Sequence, residues 1–175
     1  MAAESSTESI VFKYNHLYRH NLMRINYTTY DVRRAQDTIN VSTAKRDVMV
    51  LPKADLESCD SEISFTHARV LGIFHVNAVY IGASLPSYLP IRLEFLWVRW
   101  FQQEHWGSWE RHELERLSFP PMANEESFGF LDPSEVIRSC HLLPVISIGK
   151  RYADGRGLSC SARDSDDFHQ YYVGR

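Results

Sequence analysis

Histidine is the side chain best suited to acid–base or metal chemistry near neutral pH, and this chain contains eight of them. His16 and His20 are four residues apart, a spacing that would place both imidazoles on one face of a helix, within reach of a shared metal ion. Leu17 follows His16, however, at the position where an HExxH zinc motif requires glutamate. We therefore expect no metal site here, with one of these histidines packed and the other solvated.

The other reactive groups form no recognisable catalytic pattern. Cys140 and His141 are adjacent, but neighbouring residues of a strand point to opposite faces, so adjacency alone does not make a nucleophile and its base. The acidic runs EHWGSWERHELE (104–115) and RDSDD (163–167) are expected to form solvated loop surfaces. The sequence contains no phosphate-binding loop, dinucleotide-binding motif or nucleophile elbow. We predict no catalytic residues and no cofactor.

The segment from residue 11 to residue 34 combines positive charge with tyrosine. It carries 5 basic residues against the acid Asp31, a local sum of 5 − 1 = +4 within a protein of net charge −3. Arginine for phosphate and tyrosine for base stacking is the pairing that nucleic-acid surfaces use. Alternatively, the tyrosines are half-buried strand residues and the arginines neutralise acidic loops. The predicted binding residues, for nucleic acid or an acidic partner, are Arg24, Tyr27, Tyr30, Arg33 and Arg34.

The sequence leaves other kinds of function open. A small nuclease could use His16, His20 or His141 as acid and base. A purely structural protein could act by forming oligomers. The tryptophans could form an aromatic cage for a methylated lysine, although most of them are expected in the core. They are Trp97, Trp100, Trp106 and Trp109.

Composition limits the class of protein. The chain has 175 residues, 44% of them hydrophobic and 23% charged, which suits one globular domain, and its pI of about 6.2 argues against a dedicated polyanion-binding protein. Cys59, Cys140 and Cys160 form no paired motif, and no run of about 18 apolar residues could span a bilayer. We expect an intracellular protein, nuclear or cytoplasmic, without membrane contact. Residues 1–9 are predicted to be a disordered leader before a single β-rich domain at 10–175.

Two helices are predicted. Apolar residues recur at three- or four-residue spacing over 10–23, which favours a helix. Asp132, followed by Pro133 and by Glu135 three positions after the cap, is typical of a helix start and predicts a short helix at about 133–139.

The remaining periodicity predicts strands. Residues 91–102 are apolar on both faces, as expected of a strand that is central or crosses a barrel wall. Other strands are predicted at 24–32, 46–52, 66–82 and 141–148, a loop at 149–167, and a closing strand or the start of a further element at 168–175. This pattern predicts a mainly β fold with one or two short helices, arranged as a small, partly open β-barrel or curved sheet.

Five stretches resemble, in order and in spacing, the C-terminal region of fungal Plavaka-type transposases. They are INYTTYDVRRAQDTIN (25–40), HARVLGIFHVNAVY (67–80), RLEFLWVRWF (92–101), FGFLDPSEVIRSCHLLP (128–144) and DDFHQYYV (166–173). These transposases belong to cut-and-paste DNA elements and carry a separate upstream catalytic domain. The resemblance implies an accessory domain, a free-standing relative of it or a fragment, without DNA-cutting activity.

The chain departs from that family at both ends. A short leader precedes YTTYDVRR in place of a transposase core, and the sequence ends at Gly174 and Arg175 where the family continues past YYVN. More weakly, ARVLGIF, LEFLWVRWF and SCHLLP resemble bromo-adjacent homology modules, small β-barrels that bind chromatin or other proteins; such a likeness of fold does not carry function. We predict a non-catalytic module that binds nucleic acid, chromatin or a protein partner.

Overall fold

The computed structural model describes residues 9–51, 65–81, 89–104 and 114–174. Across these ranges, single turns of 3-10 helix lie at Lys13–Asn15, Glu125–Ser127 and Pro133–Glu135, and the rest of the regular structure is strand. The prediction of a mainly β protein with short helices is confirmed. The strands are β1 (Ser9–Phe12), β2 (Tyr18–His20), β3 (Leu22–Thr28), β4 (Arg34–Asn40), β5 (Asp47–Val50), β6 (Thr66–Ile81), β7 (Ile91–Trp100), β8 (Gln102–Gln103), β9 (Arg116–Ser118), β10 (Phe128–Leu131), β11 (Val136–Ser139), β12 (His141–Pro144) and β13 (Tyr171–Gly174).

The largest sheet is built around β6, which is 16 residues long. Along one side β6 pairs antiparallel with β5, β2 and β1 in turn, and along the other side it pairs with β7. β7 also pairs with β10, and β5 with β11, which gives the strand order β10-β7-β6-β5-β11. β6 and β7 can occupy the centre because their Val, Ile, Phe and Trp side chains suit a pleated surface that is buried on both sides.

This main sheet is curved. β10 and β11 lie at its opposite edges, yet only the short turn between Leu131 and Val136 connects them. Five residue steps reach at most about 18 Å when fully extended, and this connection is shortened by the 3-10 turn at Pro133–Glu135. The edges of a flat five-stranded sheet would be about 19 Å apart. The edges must therefore bend towards each other. The predicted curved sheet is confirmed, and in the described ranges the strands do not close into a barrel.

β3 and β4 form a two-stranded antiparallel ribbon that packs against one face of the main sheet. Met23, Ile25 and Ile39 lie on the inner side of the ribbon, where they join the main hydrophobic core. Burying this much apolar area is the main stabilising term for the fold. The buried members of this core are Ile39, Val41, Val48, Val50, Ala68, Val70, Ile73, Leu96, Val98, Leu131 and Val136.

A second sheet has the order β12-β13-β9-β8 and carries a core of its own. That core consists of Phe101, Leu117, Phe119, Leu142, Tyr171 and Val173. The long connection between β12 and β13 is a loop, as predicted, and it is held together by Asp164. The buried carboxylate of Asp164 accepts hydrogen bonds from the amides of Leu158 at 2.8 Å and Ser159 at 3.0 Å.

The predicted helix at 10–23 is wrong. This segment forms β1, one 3-10 turn and β2, because both strands are recruited to the edge of β6. Here, pairing with β6 overrides the 3.6-residue periodicity of the apolar residues. Residues 1–8, most of the predicted leader, lie outside the described ranges, and Ser9 begins β1.

The predicted helix at 133–139 is confirmed only in its first turn. Asp132 caps as expected, since its side chain accepts from the Ser134 amide at 2.8 Å. After the turn, Val136–Ser139 pairs with β5 as β11. The β-branched Val136 and Ile137 suit a strand better than a helix, and the free edge of β5 supplies the partner.

The predicted strands fare better. β5, β6 and β7 confirm the strands at 46–52, 66–82 and 91–102, and β13 confirms a closing strand in the tail. The strand predicted to reach Val32 ends at Thr28, because the chain turns back into β4. The strand predicted at 141–148 ends at Pro144. Within the described ranges no helix is long and apolar enough to cross a bilayer.

Candidate nucleic-acid interface

The outer face of the ribbon, from Arg24 to Thr28 and along the facing part of β4, carries arginine and uncharged polar side chains and no carboxylate. Strand alternation produces this face: the residues between Met23, Ile25 and Tyr27 must point away from the core, as must their partners on β4. Gln36 Nε2 donates to Asn26 Oδ1 at 2.8 Å across the two strands. The three exposed cross-strand pairs are Arg24 opposite Thr38, Asn26 opposite Gln36, and Thr28 opposite Arg34.

The tip of the ribbon is the turn from Thr29 to Arg33. The Thr29 amide donates to the Arg33 carbonyl at 2.8 Å, and Thr29 Oγ1 donates to Asp31 Oδ1 at 2.7 Å. Val32 is 83% exposed with a φ of 60°, and the Tyr30 side chain lies entirely in solvent. A β-branched residue in the left-handed region is strained, so the tip holds a costly conformation that exposes two apolar side chains.

The structure brings some of the predicted binding residues together and separates others. Arg24 and Arg34 share the outer face of the ribbon, while Arg33 and Tyr30 lie at the tip. Arg33 Nε pairs with Asp31 at 3.0 Å, in an exposed ion pair. The +4 charge of the segment is divided, because Lys13 and Arg19 lie beside β6 and not on the ribbon.

Tyr27 faces the opposite side of the ribbon from Arg24 and Arg34. The guanidinium carbon of Arg138 lies 4.3 Å from the centroid of the Tyr27 ring, and Arg138 Nη2 donates to the Tyr27 hydroxyl at 3.2 Å. Asp37 Oδ2 lies 3.6 Å from Arg138 Nε and accepts from the Ser139 amide at 3.0 Å. Tyr27 thus helps to pack the ribbon against β11.

A cavity of about 730 Å³ lies between the ribbon, β11 and the second sheet. His67, Glu115 and Cys140 line it, and His67 Nδ1 lies 3.7 Å from Glu115 Oε1. Burial, together with the negative charge of Asp47, raises the pKa of the Cys140 thiol far above its usual range. The thiol therefore stays protonated at neutral pH and is not the thiolate that a cysteine nucleophile requires. His141 also lines the cavity, at its exposed side.

The other two candidate histidines, His16 just before β2 and His20 on β2, belong to a row of aromatic rings that includes His75 of β6. His16 and Tyr18 rings are 6.1 Å apart, and Tyr18 stacks on His75 at 4.6 Å. His20 Nε2 lies 2.6 Å from His75 Nδ1. Two imidazoles in direct hydrogen bond leave no space for a phosphate between them. No cluster of three or more metal-ligating side chains occurs in the described parts of the chain.

The His20–His75 contact makes the attachment of β2 sensitive to pH. Burial, followed by the positive charges of Arg92 and His20, lowers the pKa of His75, and Glu94 opposes this shift. Because the pKa of His75 is lower in the folded chain, the unfolded chain binds a proton more readily. The stability that neutral His75 contributes is therefore fully present above the ordinary pKa of 6.5. It is lost as the pH falls from 6.5 through the lowered pKa of the folded state. We expect amide exchange in β2 to speed up below about pH 6.

Hydrogen-exchange mass spectrometry at a series of pH values, corrected for intrinsic exchange, measures this effect. His75→Asn should remove the pH dependence of β2 protection, whereas His141→Asn, an exposed histidine elsewhere, should retain it. Equal pH dependence in wild type and His75→Asn would contradict this explanation.

A buried ion cluster joins the main sheet to the loop between β12 and β13. Arg69 donates from Nε to Asp47 Oδ1 at 2.7 Å, from Nη2 to Asp47 Oδ2 at 3.1 Å and from Nη1 to Asp167 Oδ1 at 2.8 Å. Arg99 Nη1 donates to Asp167 Oδ2 at 2.6 Å, and its guanidinium carbon lies 3.8 Å above the Phe119 ring centroid. Burial alone would lower the pKa of Arg69, but Asp47 outweighs it and raises that pKa.

The RDSDD run therefore differs from its prediction as a solvated surface. Asp166 is exposed, but Asp164 and Asp167 are each only 1% exposed. The sequence analysis did not predict that these aspartates are buried. Arg69 and Arg99 lie in otherwise apolar strands, and such buried arginines indicate that a carboxylate partner is buried with them.

The tryptophans do not support a cage within the described ranges. Trp97 and Trp100 lie on opposite faces of β7, where Trp97 stacks on Phe128 and Trp100 packs against the main core. Trp106 and Trp109 lie outside the described residues, as does most of the acidic run at 104–115.

No protein-family model matches this chain, and neither does any curated protein or solved structure.

Proposed function

We propose that this protein binds duplex DNA through the outer face of the β3–β4 ribbon. The observation that carries the proposal is the composition of that face: each of its three exposed pairs combines Arg, Asn, Gln or Thr. These are the side chains that form hydrogen bonds with base edges, arginine with guanine and Asn or Gln with adenine. This face carries two arginines and no carboxylate, a local charge of +2 in a protein of net charge −3.

The dimensions of the ribbon suit the major groove. Two strands lie about 4.8 Å apart, and the major groove of B-form DNA, about 12 Å wide, admits a two-stranded ribbon. Successive outward pairs along the ribbon are about 7 Å apart. Arg24 and Arg34 lie at the two ends of this row, with the Asn26–Gln36 pair between them.

The tip supplies the remaining contacts. Arg33 and Tyr30 are both exposed in the turn at the tip, where Arg33 pairs with Asp31. On binding DNA, Arg33 would exchange this carboxylate for a phosphate of the backbone that borders the groove. Exposing Tyr30 and Val32 on a strained turn has no benefit for the isolated fold, whereas a bound partner would cover them. The outer face carries only two arginines, Arg24 and Arg34, which suits binding at one short site more than general polyanion binding.

Replacing Arg24 and Arg34 together with glutamate should abolish most DNA binding. Removing an arginine that contacts a base edge weakens binding by about 1 to 3 kcal/mol. Removing one that contacts a phosphate makes the plot of log K against log salt shallower by about 0.9. Fluorescence anisotropy with a labelled DNA duplex, titrated at several salt concentrations, measures both quantities. The thermal transition should be unchanged, because both side chains are exposed.

The matched control is Lys150→Glu with Arg156→Glu, which changes the net charge equally at exposed positions far along the chain. This control should bind like wild type. The same loss in both double variants would indicate a general charge effect, and unchanged binding by Arg24→Glu/Arg34→Glu would overturn the proposal.

Double-stranded RNA provides a second comparison. Its major groove is deep and narrow and does not admit a ribbon. We therefore expect weaker binding to an RNA duplex than to a DNA duplex of the same sequence. Equal affinity for both would show that backbone charge alone governs the interaction.

A further inference from the structure

The N-terminal half of β7 has an open edge in the part of the chain that the structure describes. β10 pairs with β7 only from Leu96 to Arg99, so in the described parts of the chain no strand pairs with residues 91–95 on that side. The apolar side chains on this half are exposed, Ile91 by 60% and Leu93 by 45%. Soluble proteins usually protect such an edge, since its free backbone groups can pair with another strand.

The side chains of this edge alternate in a self-complementary pattern. Ile91, Leu93 and Phe95 point to one face and Arg92 and Glu94 to the other. In the isolated chain Arg92 Nη2 lies 2.8 Å from Glu94 Oε1 along the same strand, with both side chains about half exposed. Arg92 and Glu94 have opposite charges and lie on either side of Leu93. An identical antiparallel strand can therefore place its Glu94 opposite Arg92 and its Arg92 opposite Glu94.

We propose that two copies of this chain pair antiparallel along the β7 edges, with the two-fold axis at Leu93. In this register Leu93 lies opposite Leu93 of the second copy, and Arg92 lies opposite Glu94 of the second copy. Ile91 then lies opposite Phe95 of the second copy, so apolar residues meet on the other face. Such opposite pairs are the unit of sheet stabilisation, and the arrangement is a closed two-fold dimer.

Charge selects this register over its neighbours. An axis at position 92 would oppose two copies of Arg92, and an axis at position 94 would oppose two copies of Glu94. Like charges directly opposite each other destabilise a sheet. A shift by one position would therefore lose both favourable ion pairs and gain a repulsive one.

Light scattering after size-exclusion chromatography tests the proposal. Wild type should elute as a particle of twice the 20.4 kDa chain mass. Arg92→Glu alone and Glu94→Arg alone should each weaken the dimer by about tenfold or more, because two symmetry-related pairs become repulsive. The double variant Arg92→Glu/Glu94→Arg should restore it, because the swapped charges again match. A monomeric wild type, or single variants that dimerise like wild type, would overturn the proposal.

Disulfide trapping tests the register itself. Leu93→Cys should cross-link under mild oxidation, because directly opposite Cβ atoms lie about 5 Å apart. Ile91→Cys is the matched control: residues 91 of the two copies would be about 14 Å apart, so it should not cross-link. Cross-linking of Ile91→Cys in preference to Leu93→Cys would reject the axis at Leu93. Both variants are made in a Cys160→Ser background, since Cys160 is exposed.

Discussion

Asp167→Ala is expected to reduce the free energy of unfolding by about 3 to 5 kcal/mol, as is typical when one partner of a buried ion pair is removed. The Asp167 carboxylate accepts from Arg69 and from Arg99, whose side chains are 7% and 0% exposed. Among the described residues, its removal leaves Arg99 without a carboxylate partner and leaves Arg69 paired with Asp47. Urea denaturation, followed by tryptophan fluorescence, measures the decrease in stability.

The neighbouring residue provides the control. Asp166 is 82% exposed on its side chain and pairs with Lys150 at the surface, at 3.0 Å. Asp166→Ala should change stability by no more than about 1 kcal/mol, because exposed ion pairs contribute little. Equal effects of the two alanine variants would show that the buried cluster does not stabilise the fold.

Arg99→Met is expected to cost less than Asp167→Ala. Nε and Nη2 of Arg99 are buried without a hydrogen-bond acceptor in the described parts of the chain. Methionine removes these donors together with the charge, keeps most of the side-chain volume and leaves Asp167 paired with Arg69. Replacing a buried ion by an apolar group of similar size is often close to neutral. The order of the two stability losses therefore separates the burial cost of Arg99 from the role of Asp167.

Ile39→Ala is expected to destabilise the protein by about 2 to 5 kcal/mol, the usual range for truncating a buried aliphatic side chain. Ile39 is 0% exposed and is the innermost residue of the ribbon. Alanine removes its packing against the main core and leaves a cavity that the curved sheet cannot fill completely. The same denaturation experiment measures the effect.

Thr38→Ala is the matched control for Ile39→Ala, one residue away and on the outer face. It should leave stability within about 0.5 kcal/mol of wild type. If the ribbon binds DNA as proposed, Thr38→Ala weakens binding without loss of stability. Ile39→Ala would weaken binding only as far as it loosens the ribbon. Similar stability losses for both variants would contradict the assignment of inner and outer faces.

The strands of the main sheet could be predicted because their signal is local. Residues 66–81 and 91–100 are long runs of β-branched and aromatic side chains, and no helical periodicity competes with them. The Asp132 cap was also readable, since a cap depends on neighbouring residues. The strands after Asp132 and before Met23 could not be predicted from the sequence, because they form by pairing with the free edges of β5 and β6.

The candidate interface could be predicted from the sequence only in part. Arginine and tyrosine content pointed to residues 24–34, but the turn at Thr29 contains no glycine or proline, so the return strand was missed. Without β4, the outward Gln36 and Thr38 could not be associated with Arg24. The position of Tyr27 on the opposite face from Arg24 already followed from alternation along the strand predicted at 24–32.

By itself the amino-acid sequence determined a β-rich chain with a cationic, tyrosine-bearing segment and strands apolar enough for a central sheet. Tertiary structure alone decided which side chains meet: Arg69 and Arg99 with Asp167, His20 with His75, and Arg24 with Thr38. The physical reason is that hydrophobic periodicity is a property of neighbours along the chain. Ion pairs and strand register depend on distant segments, such as those of Arg69 and Asp167, which are 98 positions apart along the chain and which only the packed fold brings together.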